Sequence, residues 1–283
     1  MLPTFVIGLR EGLEAALIVG IIAAFLAGQG RRDALRQVWI GVGTAIVICL
    51  GVGFGLNALE RSLPQRQQEQ LETVIGLIAV GMVTWMIFWM RKNARHLKKD
   101  LEGAAGAALA NGSARALVLM AFLAVFREGF ETAVFLLSVF QSSTNAVTAS
   151  LGALLGILLA SVLGYGIYRG GVRINLQRFF TVTGSVLVVV AGGLLMTAAH
   201  TAHEAGWLDI GQGTVADLTW LVTPGTAQAA LITGVLGIQP QPTVAEVTVW
   251  VLYVVPMLFV VLWKPRRKPA AKPADEAVSK ATA

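Results

Sequence analysis

The chain has 283 residues, of which 55% are hydrophobic and only 13% are charged, and its mean hydropathy is +0.70. This composition excludes an ordinary soluble domain, in which charged residues approach a quarter of the chain. One cysteine and three histidines exclude a disulfide framework and a multi-histidine metal centre. The net charge of +6 does not indicate a nucleic-acid-binding protein, because the basic residues lie in loops between apolar runs.

Seven apolar runs are long enough to cross a bilayer, which takes about 20 residues of helix. In chain order the predicted spans are Leu2–Ala27, Trp39–Leu59, Leu71–Met90, Ala116–Phe140, Val147–Tyr168, Phe179–Ala199 and Val244–Trp263. The first run is not a cleaved signal peptide, because charged residues interrupt it and no basic segment precedes it. The sequence therefore predicts an all-α integral membrane protein with seven transmembrane helices.

The Lys and Arg residues predict the orientation of these spans. One alternate set of loops, together with the C-terminal tail, carries 18 of them, and the other set carries two. Basic loops are retained in the cytoplasm. The N-terminus is therefore expected outside and the C-terminus in the cytoplasm.

The second half of the chain repeats the first weakly. Three segments recur in the same order. Arg10–Glu14 recurs as Arg127–Glu131, 117 positions later. Gly41, Gly53 and Gly55 recur as Gly152, Gly164 and Gly166, 111 positions later, and Thr73–Gly76 recurs as Thr181–Gly184, 108 positions later. Because the first span enters from outside and the fourth from inside, the two halves form a 3+3 inverted repeat, with the seventh helix outside it. Such repeats are typical of transporters that bind their ligand near the bilayer midplane.

The repeat also divides the chain into five segments. They are a first three-helix repeat with a cytoplasmic amphipathic segment (1–112), a second repeat (113–200), an outer acidic cap of short helices or re-entrant structure (201–243), the seventh helix (244–263) and a disordered basic tail (264–283).

Two R-E-x-x-E motifs place six charged side chains near the middle of the first and fourth spans: Arg10, Glu11, Glu14, Arg127, Glu128 and Glu131. A charge at the bilayer centre costs at least about 2.5–3.5 kcal/mol unless it is paired or hydrated. In each motif the two glutamates are i, i+3 and project from one helix face, and the arginine can pair with the second glutamate at i, i+4. Gly12 and Gly129 remove side-chain bulk beside the carboxylates.

If the two helices cross at the motifs, four glutamates and two arginines converge with a net charge of −2. This charge suits a multivalent cation. Carboxylate oxygens are hard ligands, which favours Fe, Mn, Mg or Ca over Cu(I). The alternative is that the charges only lock two helices together, although two glutamates per helix exceed what one arginine needs.

The two motifs, the spans and the inward-facing basic loops resemble the oxidase-dependent iron permease family over about residues 1–263. Segments 10–19, 84–92 and 203–206 add to the resemblance, whereas Phe130 departs from the leucine of the first motif. The resemblance implies a permease rather than an enzyme, in the bacterial inner (cytoplasmic) membrane, with iron as the transported substrate and no bound organic cofactor. It assigns iron translocation to Glu11, Glu14, Glu128 and Glu131, with Arg10 and Arg127 as motif arginines.

The same resemblance implies partners outside the membrane. Fungal members of the family receive Fe³⁺ from a multicopper oxidase, and the bacterial system includes a periplasmic haem peroxidase and a second periplasmic protein that would deliver iron. The residues themselves indicate membrane lipid as the surroundings. They contain no nucleotide-binding loop and indicate no nucleic-acid partner. Whether Fe²⁺ or Fe³⁺ is carried stays open.

Acidic and histidine residues cluster on the predicted outer side and could capture cations before they reach the centre. The candidates for this external capture are Glu69, Glu72, His200, His203, Glu204, Asp209 and Asp217. For Glu69 and Glu72, an ordinary solvated helix start is the simpler interpretation.

Three other functions remain as alternatives. The same architecture could transport another hard cation (Mn²⁺ or Mg²⁺) or protons. An intramembrane metal-dependent hydrolase would need a catalytic metal and a water-activating base, and no nucleophile or zinc motif accompanies the glutamates. A non-transporting scaffold or sensor would tolerate neutral substitution of the glutamates.

Overall fold

The computed structural model describes residues 1–93, 97–110, 114–141, 146–169, 176–222, 226, 232–233 and 238–263. The described residues are almost entirely helical, as the sequence predicts. A short 3₁₀ helix lies at Arg32–Ala34, and the α-helices are α1 (Leu2–Gly28), α2 (Leu35–Ser62), α3 (Gln65–Asn93), α4 (Leu97–Ala110), α5 (Ala114–Gln141), α6 (Ala146–Tyr168), α7 (Leu176–Glu204) and α8 (Val244–Leu262). The tail predicted to be disordered lies outside the described residues.

Six of these helices are long and apolar enough to cross a membrane: α1, α2, α3, α6, α7 and α8. The protein is therefore a multi-pass membrane protein. The fourth predicted span lies in α5, whose 28 residues are sufficient in length. However, every 18-residue window of α5 contains Arg127, Glu128 and Glu131, so hydropathy does not identify it as a span. The count of seven spans stays a prediction.

The helices pack in pairs, α1 with α6, α2 with α5 and α3 with α7, while α1 also contacts α5 and α8 packs on α7. Glycines allow the backbones of the first two pairs to approach closely. A Cβ at Gly152 of α6 would overlap the carbonyl oxygen of Met1, and a Cβ at Gly41 of α2 would overlap that of Val118. Met1 and Val118 are 117 positions apart, and Gly41 and Gly152 are 111 positions apart, which are two of the offsets of the sequence repeat.

A second set of contacts follows the same relation. A Cβ at Gly164 would meet Ala16, and a Cβ at Gly53 would meet Ala133. The α1–α6 and α2–α5 interfaces therefore correspond at both of these positions after exchange of the two halves.

Apolar side chains divide between the helix interfaces and the outside of the bundle. The largest buried cluster lies where α3, α7 and α8 meet α1 and α5, and includes Ile7, Met86 and Phe135. The outer faces of α2 and α6 instead expose large apolar side chains, such as Phe54 and Val162. Extensive exposed apolar surface of this kind fits contact with lipid.

The remaining segments close the two ends of the bundle. The helix expected in the basic loop is present as α4, which packs against α1 and α5. At the opposite end, residues 205–222 form turns and irregular structure that hydrogen-bond to the start of α8, and the outer cap of short helices or re-entrant structure over 201–243 stays a prediction. The Val244 and Ala245 N–H groups donate to the carbonyl oxygens of Gly213 and Gly211, both at 2.9 Å.

Candidate metal site

Both R-E-x-x-E motifs lie near the middle of long helices that pack against each other, α1 and α5. All four glutamates are buried, with 1–8% of each residue exposed: Glu11, Glu14, Glu128 and Glu131. A carboxylate that is buried costs free energy unless it is paired, hydrogen-bonded or bound to a cation. The partners of these four residues therefore decide what the site can do.

Three of the four glutamates converge. One carboxylate oxygen from each of Glu11, Glu128 and Glu131 lies within 4.8 Å of the other two. We call these three residues the central carboxylate set. The Oε2 atom of each has no hydrogen-bond partner among the described residues. Three buried oxygens without donors, contributed by two helices, form an arrangement that a hard cation would satisfy.

The fourth glutamate is held by Arg10. Glu14 Oε1 lies 2.9 Å from Arg10 Nη2, and Glu11 Oε1 lies 2.8 Å from Arg10 Nη1. Arg10 is almost fully buried and also contacts Met86 Sδ. The predicted i, i+4 pairing is therefore present in the first motif, and Glu14 stays outside the central carboxylate set. Glu11 and Glu131 thus contribute both to ion pairs with the motif arginines and to the central carboxylate set, whereas Glu14 contributes only to an ion pair.

The second motif pairs differently. Arg127 Nε lies 3.1 Å from Glu131 Oε1 and 3.9 Å from Glu128 Oε1. Its side chain is 40% exposed, against 2% for Arg10. The guanidinium carbon lies 4.6 Å from the centroid of the Trp89 ring on α3. The two motifs therefore share their spacing but hold their arginines in different surroundings.

The two motif glycines permit close helix packing beside the carboxylates. A Cβ at Gly12 would lie 2.9 Å from Ala160 Cβ, and one at Gly129 would lie 2.8 Å from Cys49 Sγ. Both glycines, with Glu11 and Glu128, line a cavity of about 610 Å³ between α1, α2, α5 and α6. Two members of the central carboxylate set, Glu11 and Glu128, therefore border open space as well as packed helices.

The predicted external residues are only partly brought together. His200 Nδ1 lies 2.9 Å from Glu246 Oε1, and His200 Nε2 lies 3.5 Å from Glu204 Oε1. The Glu246 side chain is 3% exposed. Glu69, on α3, is close enough to interact electrostatically with His200. His200, Glu204 and Glu246 therefore form one cluster at the end of α7.

The other candidates lie beside this cluster or make local contacts. His203 Nδ1 lies 2.8 Å from the Leu208 carbonyl oxygen and 3.9 Å from Asp209. Asp217 accepts hydrogen bonds from the backbone N–H and hydroxyl of Thr219, which lower the pKa of its carboxyl group. Glu72 lies half-buried on α3. These contacts do not add His203, Asp209 or Asp217 to the His200 cluster.

Sequence reasoning missed three contributors. Glu246 has a local signal, because Thr243 and Glu246 form a capping box at the start of α8. Nothing in the sequence links Glu246 to His200, which lies 46 positions earlier. Met86 and Trp89 appear in the sequence only as apolar residues of a span, and their contacts with the motif arginines arise from the packing of α3.

Comparison with known proteins identifies a family and similar relatives. The model of the family described as "Iron permease FTR1 family" matches residues 1–267. The chain is 42% identical over 268 residues to "Ferrous iron permease EfeU" of Escherichia coli O157:H7, covering 94% of this chain and 97% of the relative. The protein of the same name from Yersinia pestis is 41% identical over 268 residues, covering 94% and 95%. No solved structure matches the chain.

Proposed function

This chain belongs to the iron permease FTR1 family, and on that premise we propose that it carries iron inward across the bacterial cytoplasmic membrane through its central carboxylate set. The family and the relatives are named as permeases, so the protein is a transporter and not an enzyme. The relatives' names specify ferrous iron. The proposal covers Fe²⁺ and Fe³⁺, because carboxylate oxygens suit both ions.

The observation that carries the proposal is the convergence of Glu11, Glu128 and Glu131 with an unpartnered oxygen on each. Together with Glu14 and the two motif arginines, the charges sum to −2. A divalent or trivalent cation relieves this excess and supplies the missing partners. If these charges only joined the two helices, fewer buried carboxylate oxygens would lack donors, because an unpaired buried carboxylate costs folding free energy.

The position of the site supports transport from one side of the membrane to the other. Glu11 lies nine residues into α1 and Glu128 fourteen residues into α5. At a rise of about 1.5 Å per residue, these are depths of roughly 14 and 21 Å along the helices. The hydrocarbon core is about 30 Å thick. We place the central carboxylate set near its midplane on this basis.

The matched α1–α6 and α2–α5 contacts support a 3+3 inverted repeat with α5 as a seventh span. In transporters of this kind, the halves rock about a ligand site at their interface. Iron would bind from the outer side, where His200, Glu204 and Glu246 provide an acidic approach. It would leave toward the cytoplasm as the halves move or the glutamates take up protons. A periplasmic oxidase or peroxidase and an iron-delivery protein would supply it.

The test is uptake of radioactive iron by cells that lack other iron transporters, with iron supplied as Fe²⁺ under ascorbate or as Fe³⁺ citrate. We expect uptake by the wild type and its loss in Glu11→Gln and Glu131→Gln at matched membrane levels. Asp33→Asn is the control, because it removes a carboxylate from an exposed ion pair with Arg31 away from the site. The preferred supply identifies the oxidation state.

Two results would refute the proposal. One is wild-type uptake of Mn²⁺ or Mg²⁺ that excess iron does not inhibit, without iron uptake from either supply. The other is normal iron uptake by both glutamate variants. The second result would favour the interpretation that these charges only join helices.

A further inference from the structure

Helix α3 contacts both motif arginines, one turn apart. Met86 Sδ contacts Arg10 Nη1, and the Trp89 ring lies under the guanidinium of Arg127. Residues three positions apart share one face of a helix, so a single face of α3 reaches both motifs. The two halves of the site differ in this contact, because one arginine meets a thioether and the other an indole.

The two arginine side chains also differ in how firmly their partners hold them in place. Arg10 makes ion pairs at 2.8 and 2.9 Å with two glutamates and is 2% exposed. Arg127 makes one ion pair near 3 Å, with Glu131, and is 40% exposed. Arg10 is therefore fixed between its partners, whereas the position of Arg127 depends on Glu131 and on the Trp89 ring.

The ring is well placed to hold the guanidinium. A distance of 4.6 Å between the guanidinium carbon and the ring centroid lies inside the range of about 6 Å for a cation–π interaction, and indole is the strongest of the aromatic partners. Among the described residues, no aromatic ring is stacked in this way on Arg10.

A shift of Arg127 toward the unpartnered carboxylate oxygens would block the site. Glu128 Oε2 and Glu131 Oε2 are buried and have no hydrogen-bond partner among the described residues. A guanidinium carries five N–H donors in a planar fork that suits carboxylates. If Arg127 moved onto these oxygens, it would place a positive charge where the cation binds.

We infer that Trp89 is a positioning residue, which holds Arg127 away from the free oxygens of Glu128 and Glu131 and so keeps the central carboxylate set open to iron. The inference rests on the proposed function, since it concerns the same site. It assigns a specific role to a tryptophan that composition alone would place at the lipid interface.

The first test compares Trp89→Leu with Trp89→Phe in the uptake assay at matched membrane levels. Loss of the ring should raise the KM for iron by about three- to tenfold while leaving the maximal rate nearly unchanged. Phenylalanine retains an aromatic face and should restore most of the affinity. Trp85→Leu is the matched control, because Trp85 lies one turn away on α3 and is 69% exposed. Its KM should equal that of the wild type.

The second test is a double-mutant cycle with Arg127→Gln, measured as equilibrium binding of radioactive Fe²⁺ by purified protein in detergent. Without the arginine there is nothing for the ring to hold, so Trp89→Leu should no longer change the affinity. The inference is overturned if the leucine and phenylalanine variants have the same KM, or if the leucine effect persists in the Arg127→Gln background.

The binding measurement separates this inference from the proposed function. Wild-type protein that binds iron with the expected Trp89 dependence, but does not transport it, would support the positioning role and refute the permease. Normal transport with no Trp89 dependence would refute the positioning role alone. Wild-type protein that neither binds nor transports iron would overturn both.

Discussion

Neutralising Glu128 should abolish transport without destabilising the protein, whereas neutralising Glu14 should destabilise it. The two residues occupy opposite kinds of surroundings. Glu128 belongs to the central carboxylate set and lies 3.9 Å from its nearest charged nitrogen, on Arg127. Glu14 lies 2.9 Å from the buried guanidinium of Arg10. Substitution by glutamine keeps the side-chain volume and removes only the charge, which makes Glu128→Gln and Glu14→Gln directly comparable.

The magnitude follows from these distances. Two unit charges 4.8 Å apart interact by about 3.5 kcal/mol at an effective dielectric constant of about 20. Glu128 faces two carboxylates within that distance, and the attraction to Arg127 at 3.9 Å contributes about 4 kcal/mol. Among these three neighbours, repulsion therefore exceeds attraction by about 3 kcal/mol in the absence of a cation. Glu128→Gln should leave the free energy of unfolding unchanged or raise it by up to that amount.

The opposite sign is expected for Glu14→Gln. Removing one partner of a buried ion pair costs about 3–5 kcal/mol, because the other charge stays buried. The assay is thermal unfolding of both variants in detergent without iron, followed by iron uptake in cells. If Glu128→Gln unfolds as readily as Glu14→Gln, the different roles assigned to the two glutamates are wrong. Retained uptake by Glu128→Gln would remove it from the transport site.

Three further outcomes are expected. Gly156→Ala should destabilise the protein by about 1–3 kcal/mol, because its Cβ would lie 2.7 Å from Leu9 N. Gly55→Ala, whose Cβ meets nothing within 4 Å, should be neutral or stabilising, and thermal unfolding compares the two. Glu204→Gln should raise the KM for iron roughly two- to threefold by weakening the acidic approach, with no loss of maximal rate at saturating iron. A C-terminal alkaline phosphatase fusion should be inactive and a fluorescent protein fusion bright, as a cytoplasmic C-terminus requires.

Each of these outcomes has a contrary result. Equal stability of the two glycine variants would show that the α1–α6 approach is less tight than described. An unchanged KM in Glu204→Gln would exclude that residue from cation capture. An active phosphatase fusion would reverse the orientation that the Lys and Arg distribution predicts.

Local geometry made part of the site predictable. The spacing in R-E-x-x-E places Glu11 and Glu14 on one helix face and allows Arg10 to reach Glu14, and both features are present. They depend only on the helical repeat, which any long apolar helix supplies. The offsets between the motifs and glycines likewise anticipated which residues of α1 and α6 would correspond to those of α5 and α2.

The difference between the motifs could not be predicted, because the two motif copies are nearly identical in sequence. The four glutamates are equivalent in the sequence pattern, whereas in the structure Glu11, Glu128 and Glu131 converge and Glu14 lies outside their set. The two motif arginines also meet different side chains of α3, Met86 and Trp89, which lie outside both motifs.

The sequence by itself determined the membrane-embedded helical class, the burial of charged motifs in two helices and the family to which the chain belongs. These properties depend on composition, on the spacing of residues within a motif and on the order of motifs along the chain. All three can be read without knowing how the helices pack. Only the tertiary structure decided which carboxylates share a site, which arginine remains half exposed, and that Glu246 pairs with His200. Such contacts depend on the distance between packed helices and on their rotation about their own axes. Both are set by packing, in particular by small residues at positions distant in the sequence.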